Sequence, residues 1–120
     1  MINERPATMV LDIDGTLINH CGNICDQYTN DIKILPGVLN KFKEWDLKGY
    51  RIILMTGRRE SGRKHLEEQL FNAGIFYDQL IMGVGNGKRI LINDLKPNSE
   101  EPTAIAINVK RNSGLEDIKI

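Results

Sequence analysis

The chain has 120 residues, and its 16 basic and 16 acidic side chains cancel to a net charge of zero. This length predicts one compact domain over residues 1–120. The shares of hydrophobic (41%) and charged (27%) residues are those of folded globular proteins rather than disordered ones. A zero net charge does not supply the basic field that drives non-specific nucleic-acid binding, so we do not expect a nucleic-acid partner.

Nothing in the sequence predicts a membrane or secreted protein. No apolar run approaches the roughly 20 residues that a membrane-spanning helix needs, and the first residues lack the apolar centre of a secretory signal. The two cysteines, Cys21 and Cys25, are too few for a disulfide framework and fit a reducing compartment. We therefore expect a cytoplasmic protein without a membrane partner.

Short apolar runs alternate with helical patterns in the first part of the chain. The run TMVLDID predicts a strand over residues 8–14, buried on both faces and ending in acids. Apolar residues at helical spacing predict a helix between Pro36 and Gly49. The run RIILMTG predicts a second strand from Arg51, and a second amphipathic pattern predicts a helix that ends before Gly74.

The second part of the chain predicts three more strands, at residues 77–82, 88–94 and 103–109. Strands separated by helices indicate an α/β fold, a three-layer Rossmann-like sandwich with a mostly parallel five-stranded sheet. One connection is irregular, because only residues 83–87 separate the third strand from the fourth, and a parallel crossover takes a dozen residues or more. Either a crossover helix has been deleted, or Asn86-Gly87 forms a hairpin and the two strands are antiparallel.

Two carboxylates, Asp12 and Asp14, follow the first strand, and Gly15 lets the backbone turn beside them. In extended backbone, positions i and i+2 project to the same side. Two like charges side by side are costly unless a cation or a proton is shared, so this pair is a candidate metal or acid-base site. The alternative is a solvated Asp-Gly turn after a strand.

Further candidate residues follow two other predicted strands. Asp94 follows the apolar run ILI in the way that Asp12 follows MVL, and the carboxyl ends of parallel strands share the edge where ligands of open α/β folds bind. Hard oxygen ligands there describe a magnesium site completed by a substrate phosphate. Thr56, Gly57 and Arg58 supply groups that suit phosphoryl oxygens. The alternative for Thr56 is a helix cap.

Together these motifs resemble those of the haloacid dehalogenase superfamily of phosphohydrolases. The sequence DIDGT at residues 12–16 matches the first motif, Thr56-Gly57 matches the second, and Asn93-Asp94 looks like the fourth, over about residues 9–109. Asn93 departs from the family's pattern, which usually has an acid there, so Asp94 alone is carried over as a metal ligand. The family's parallel fourth strand favours the deleted crossover.

The family's third motif is a lysine or arginine that neutralises the nucleophile and the phosphate, and its position in this chain is open. Lys88 is the nearest candidate before Asp94, but it starts about 16 Å from the acidic edge if the strand is extended at roughly 3.3 Å per residue. Arg89 is a further candidate, and Arg58 and Lys96 lie just beyond strand ends at the correct edge. We include Arg58 and Lys96 with Thr56 and Gly57 among the expected phosphate-binding residues.

The resemblance implies a magnesium-dependent phosphatase that hydrolyses a phosphate monoester through an aspartyl-phosphate intermediate. Asp12 would be the nucleophile, and Asp14 would protonate the leaving oxygen and then activate water. The resemblance also implies that Mg²⁺ is held by Asp12, Asp14 and Asp94.

The space between the first two motifs predicts a site without a cap domain. Only 41 residues separate Asp14 from Thr56, enough for a flap over about residues 17–35 and one helix. A small sugar phosphate handled by a homo-oligomer that supplies the lid is the first expectation, and a nucleic-acid or protein end is the second. A non-catalytic phosphate- or metal-binding domain is the alternative from another class, motivated by Asn93 and the unfilled third motif.

Overall fold

The computed structural model describes residues 5–20, 22–23, 26–27 and 31–120. Cys21 and Cys25 lie outside these residues. The described helices and strands alternate in the order expected of an α/β fold, and no helix among them is long and apolar enough to cross a membrane. The elements are β1 (Thr8–Asp12), α1 (Val38–Leu47), β2 (Arg51–Met55), a 3₁₀ turn (Glu60–Gly62), α2 (Arg63–Ala73) and β3 (Gln79–Ile81).

The three strands form one parallel sheet in the order β1-β2-β3, with β2 in the centre. Asp12 at the end of β1 lies opposite Met55 at the end of β2, and Met55 lies opposite Ile81 at the end of β3. All three carboxyl ends therefore meet at one edge of the sheet. The two predicted crossover helices are confirmed as α1 and α2, and the predicted parallel sheet is confirmed for these three strands.

The core lies between the sheet and the two helices. Helix α1 contributes Val38, Phe42 and Trp45, which recur at helical spacing on one buried face. Helix α2 contributes Leu66 and Leu70 in the same way. Each large apolar side chain that is fully buried stabilises the fold by about 1.5–3 kcal/mol before entropy is counted. These contacts fix the helices on the sheet and so fix the edge at which the strands end.

The expected five-stranded sheet is wrong, because the sheet has three strands in the part of the chain that the structure describes. Residues 82–120 are all described, and they contain no helix and no strand. The connection after β3 is too short for a parallel crossover, and the backbone at Asn86-Gly87 does not pair as a hairpin either. The apolar runs at residues 90–92 and 103–109 are irregular, and Ile90, Leu91 and Ile92 are largely exposed.

The described part of the predicted flap packs onto its own domain. Ile18 bridges both Asp14 and Ile34 by backbone pairing. Ile18 and Leu35 are buried, and Ile32 and Ile34 pack against the core. Two other apolar residues of the flap, Ile24 and Tyr28, lie outside the described residues.

The last part of the chain returns to the loops beside β1. The Asn112 amide donates to the Gly15 carbonyl over 2.8 Å, and the Leu115 amide donates to the Pro36 carbonyl over 2.8 Å. Leu115 is buried in the core. Gly114 has a positive φ of 84°, and a Cβ there would collide with the Pro36 backbone. This segment therefore closes over the turn that carries Asp14.

Candidate active site

Asp12 and Asp14 project from the carboxyl end of β1, as the sequence predicts. Ile13 between them is fully buried, while both carboxyl side chains are only partly buried. The Thr16 hydroxyl donates to Oδ2 of Asp12 over 3.3 Å. Gly15 adopts a positive φ of 88°, which glycine accepts readily. The turn therefore places two carboxylates side by side at the edge of the sheet.

Asp14 forms a tight ion pair with Arg58 from the loop after β2. The Arg58 Nε donates to Oδ2 of Asp14 over 3.0 Å, and Nη2 donates to Oδ1 over 2.7 Å. The side chains are 6% (Arg58) and 14% (Asp14) exposed, so the pair is mostly shielded from water. A bidentate arginine contact of this kind fixes the plane of the carboxylate as well as its charge.

Asp12 has a longer ion-pair contact than Asp14, and its side chain is more exposed. Nη2 of Arg89 lies 3.9 Å from Oδ1 of Asp12, whose side chain is 35% exposed. Burial raises the pKa of the Asp12 carboxyl above its ordinary value, and the nearby Arg89 charge opposes that rise without cancelling it. The neighbouring Asp14 charge raises the same pKa slightly further. Asp12 is therefore a partly exposed carboxylate at the edge of the sheet, and the Arg89 charge does not fully offset the effect of its burial.

The glycine-rich loop after β3 folds back beside the site. The Gly83 amide donates to the Arg58 carbonyl over 2.8 Å, and the Val84 amide donates to the Thr56 carbonyl over 3.0 Å. A Cβ on Gly57 would lie 3.0 Å from Oδ1 of Asn86. Because the loop returns, Arg89 lies beside Asp12 at this edge of the sheet. A straight fourth strand would have placed Arg89 far from the edge. Of the four basic candidates, Arg89 thus contacts Asp12, and Arg58 contacts Asp14.

Thr56 and Gly57 lie at the edge as predicted. Thr56 is buried, and its Oγ1 accepts a hydrogen bond from the Arg58 amide over 3.1 Å. This contact is the one expected of a hydroxyl that caps the turn after a strand. Gly57 is exposed beside it. A role for either residue in phosphate binding stays a prediction.

Asp94 and Lys96 lie in the irregular segment after residue 82. Nζ of Lys96 is 3.5 Å from Oδ1 of Asp94, and both side chains are more than half exposed. The Asn93 side chain donates to the Thr103 hydroxyl over 2.7 Å, and that hydroxyl donates to the Asp94 carbonyl over 2.6 Å. The Asp94 side chain therefore contacts Lys96, and its backbone carbonyl contacts Thr103, both within the same irregular segment.

The donor set for magnesium is only partly assembled. Asp12 offers hard oxygens at the open edge, which fit the cation. Asp14 gives both oxygens to Arg58. In the part of the chain that the structure describes, no group of three His, Cys, Asp or Glu side chains is close enough to hold a metal ion. As placed, the three carboxylates do not fit a magnesium ion, and the proposed ligand set stays a prediction.

Two polar side chains of the site were not singled out from the sequence. Thr16 was noted only as part of the DIDGT motif, although its hydroxyl contacts Asp12. Gln69 lies on α2 beside the buried Leu70, and it contacts Arg58. A polar residue adjoining the apolar face of a helix is a usable signal, because a partly buried amide needs hydrogen-bond partners.

Comparisons with known proteins find one similar sequence and one similar solved structure. The chain is 32% identical over 85 residues to a probable D-glycero-D-manno-heptose-1,7-bisphosphate 7-phosphatase of Thermoplasma acidophilum. That match covers 68% of this chain and 52% of the relative, so the chain spans about half the length of the curated relative. No family model matches the chain.

One solved structure is also similar to the chain. The chain resembles a chain of the Pnkp1/Rnl/Hen1 complex at a TM-score of 0.55 and 30% identity, over 71% of this chain and 30% of that one. Together with the first-motif match at residues 12–16, these likenesses confirm the resemblance drawn from the sequence. Both likenesses point to the haloacid dehalogenase superfamily, as the motifs do.

Proposed function

We propose that the protein is a phosphatase that hydrolyses a phosphate monoester, with a sugar phosphate as the first substrate class. The observation that carries the proposal is the partly exposed Asp12 carboxylate at the end of β1, two residues from an Asp14 held by Arg58. The curated relative, a probable sugar-bisphosphate phosphatase, supports the substrate class.

The proposed reaction has two steps. An Asp12 oxygen attacks phosphorus, a bond to Asp12 forms, and the bond to the leaving oxygen breaks while Asp14, which must be protonated in the substrate complex, gives its proton to that oxygen. Water then attacks phosphorus, Asp14 takes the water's proton, and the Asp12 carboxylate is released. The Arg89 charge near Asp12 would offset the negative charge that an incoming phosphate brings.

Magnesium is the cofactor that we propose, held in the first place by the Asp12 carboxylate, since Asp14 as placed gives both of its oxygens to Arg58. When bound, such an ion would neutralise charge between the carboxylate and the phosphate. Asp94 is the third proposed ligand, and it must leave Lys96 and approach the edge to serve. Neither step above depends on a particular geometry of the ion.

A phosphate-release assay tests the proposal. The purified protein would be given sugar phosphates, nucleotides and phosphopeptides, each with and without magnesium, and Asp12→Asn would be the matched control. We expect release from a sugar phosphate that magnesium increases and that Asp12→Asn lowers by about 10³-fold or more. No phosphate release from any substrate would favour a non-catalytic binding domain. Release from nucleic-acid or protein ends alone would replace sugar phosphates with those ends as the proposed substrates.

The lid supplied by a neighbouring subunit is a further proposal on the same site. Exposure of Asp12 at the edge leaves its chemistry open to water, where electrostatic stabilisation is weak. Light scattering at micromolar concentration would show a dimer or larger assembly that loses activity on dissociation. A monomer that hydrolyses a small sugar phosphate efficiently would overturn the shared lid.

A further inference from the structure

Gln69 joins Arg58 to the backbone at Gln27, in the segment between β1 and α1. Its Oε1 accepts from Nη1 of Arg58 over 3.0 Å, and its Nε2 donates to the backbone carbonyl of Gln27 over 3.3 Å. The two ends of one amide therefore hold two different parts of the chain. Leu70, the next residue of α2, is fully buried and anchors this part of the helix in the core.

The contact gives the Arg58 guanidinium hydrogen-bond partners on two sides. Nε and Nη2 face Asp14, and Nη1 faces Gln69. A guanidinium is planar, so partners at both of its edges fix its rotation as well as its position. The Asp14 carboxylate is bound through both oxygens and must follow the plane of the guanidinium.

We propose that Gln69 is a positioning residue that sets the orientation of Asp14 through Arg58. The same amide also holds the backbone carbonyl of Gln27, so the Arg58–Asp14 pair and the segment at Gln27 share one hydrogen-bonding partner. This inference rests on the proposed function, because it takes Asp14 as the acid of the first step. Proton transfer is sensitive to the orientation of the donor, and small misplacements lower its rate.

The test compares two phosphate monoesters that need the acid to different degrees. Glycerol 2-phosphate has an alkoxide leaving group that requires a proton, whereas p-nitrophenyl phosphate releases a stable phenolate that requires little help. The value of kcat/KM reports the steps up to the first transfer of phosphorus. A variant with a misplaced Asp14 therefore loses more kcat/KM on glycerol 2-phosphate than on p-nitrophenyl phosphate.

The variant is Gln69→Met, which keeps the length of the side chain and removes both hydrogen bonds. We expect about a tenfold loss of kcat/KM on glycerol 2-phosphate and less than about a threefold loss on p-nitrophenyl phosphate. The matched control is Glu68→Gln, on the exposed side of the same helix, which should leave both values unchanged. If Gln69→Met does not fold, Gln69→Ala takes the same test with the same expected ratio.

The outcomes separate the inference from the proposed function. Equal losses on the two esters, or no loss on either, would overturn the positioning role of Gln69 and leave the phosphatase standing. A wild-type protein that releases phosphate from neither ester would instead count against the proposed function. A greater loss on the alkyl ester, with an unchanged melting temperature, supports the positioning role.

Discussion

Arg58 donates hydrogen bonds to both oxygens of Asp14, although the two residues are 44 positions apart in the chain. The turn after β1 supplies the carboxylate, and the loop after β2 supplies the guanidinium. Both side chains are largely buried. Because a shielded charge is costly without a partner, each residue makes the burial of the other tolerable.

Removing one member of this pair should destabilise the protein more than removing both. Arg58→Met leaves the Asp14 carboxylate without its partner, and we expect a loss of about 3 kcal/mol in the free energy of unfolding. Adding Asp14→Asn should recover a large part of that loss. Urea unfolding of the two single variants and the double variant gives the coupling. Strictly additive effects would show that the pair contributes no mutual stabilisation.

Asp12→Asn should stabilise the magnesium-free protein at pH 7. The folded-state pKa of Asp12 is raised above the ordinary 3.8, mainly by burial, so ionising the carboxyl costs the folded state stability. This loss of stability is absent at pH values below the unfolded-state pKa of the carboxyl. It grows as the pH rises from the unfolded-state pKa to the raised folded-state pKa, and it is complete above both. The gain from Asp12→Asn should therefore be present at pH 7 and vanish at about pH 3.

Urea midpoints of wild type and variant at the two pH values measure this gain. The matched control is Asp117→Asn, on an exposed aspartate in the segment after Leu115. A gain that is equal at both pH values, or a gain shared by the control, would contradict the assignment of the effect to the Asp12 carboxylate.

Asp94→Ala should raise the magnesium concentration needed for half-maximal phosphatase activity, by about tenfold, if Asp94 joins Asp12 at the edge during the reaction. Initial rates across a magnesium titration provide the measurement. Asp117→Ala is the control, because it removes a carboxylate from a comparably exposed position. The same titration midpoint in wild type and Asp94→Ala would remove Asp94 from the proposed ligand set.

Gly114→Ala should destabilise the fold by about 3 kcal/mol. Gly114 has a φ of 84°, and an added Cβ would meet the Pro36 carbonyl oxygen and lie 2.8 Å from the Pro36 nitrogen. Gly85→Ala is the matched control, since a Cβ there meets nothing within 4 Å. We expect that control to change stability by less than about 0.5 kcal/mol. Similar unfolding midpoints for both variants would show that the Pro36 contact is not needed.

The sequence predicted the first half of the fold better than the second. The strands at Asp12 and Met55 and the helices between Pro36 and Gly74 follow from apolar spacing and from glycine at helix ends, which are local signals. The apolar runs at residues 90–92 and 103–109 carry the same strand signal. Whether they pair depends on a neighbouring strand edge and on the length of the connection, which composition alone does not determine.

The site was predictable in its residues more than in its contacts. Asp12 and Asp14 could be placed at a sheet edge because β1 is short and apolar. Arg58 was expected to face a phosphate, and the structure pairs it with Asp14. The contact of Arg89 with Asp12 depends on the return of the glycine-rich loop, a long-range event without a local sequence pattern.

The closure of the Gly15 turn by Asn112 also bears on the order of folding. The three strands and both helices are complete in a nascent chain once Ile81 has been synthesised, whereas the hydrogen bonds to Gly15 and Pro36 require residues 112–115. Contacts between residues this far apart in sequence form slowly, because a long loop must close first. We expect the turn that carries Asp14 to become rigid last, so pulse-labelled hydrogen exchange should protect the Asn112 and Leu115 amides after those of β2.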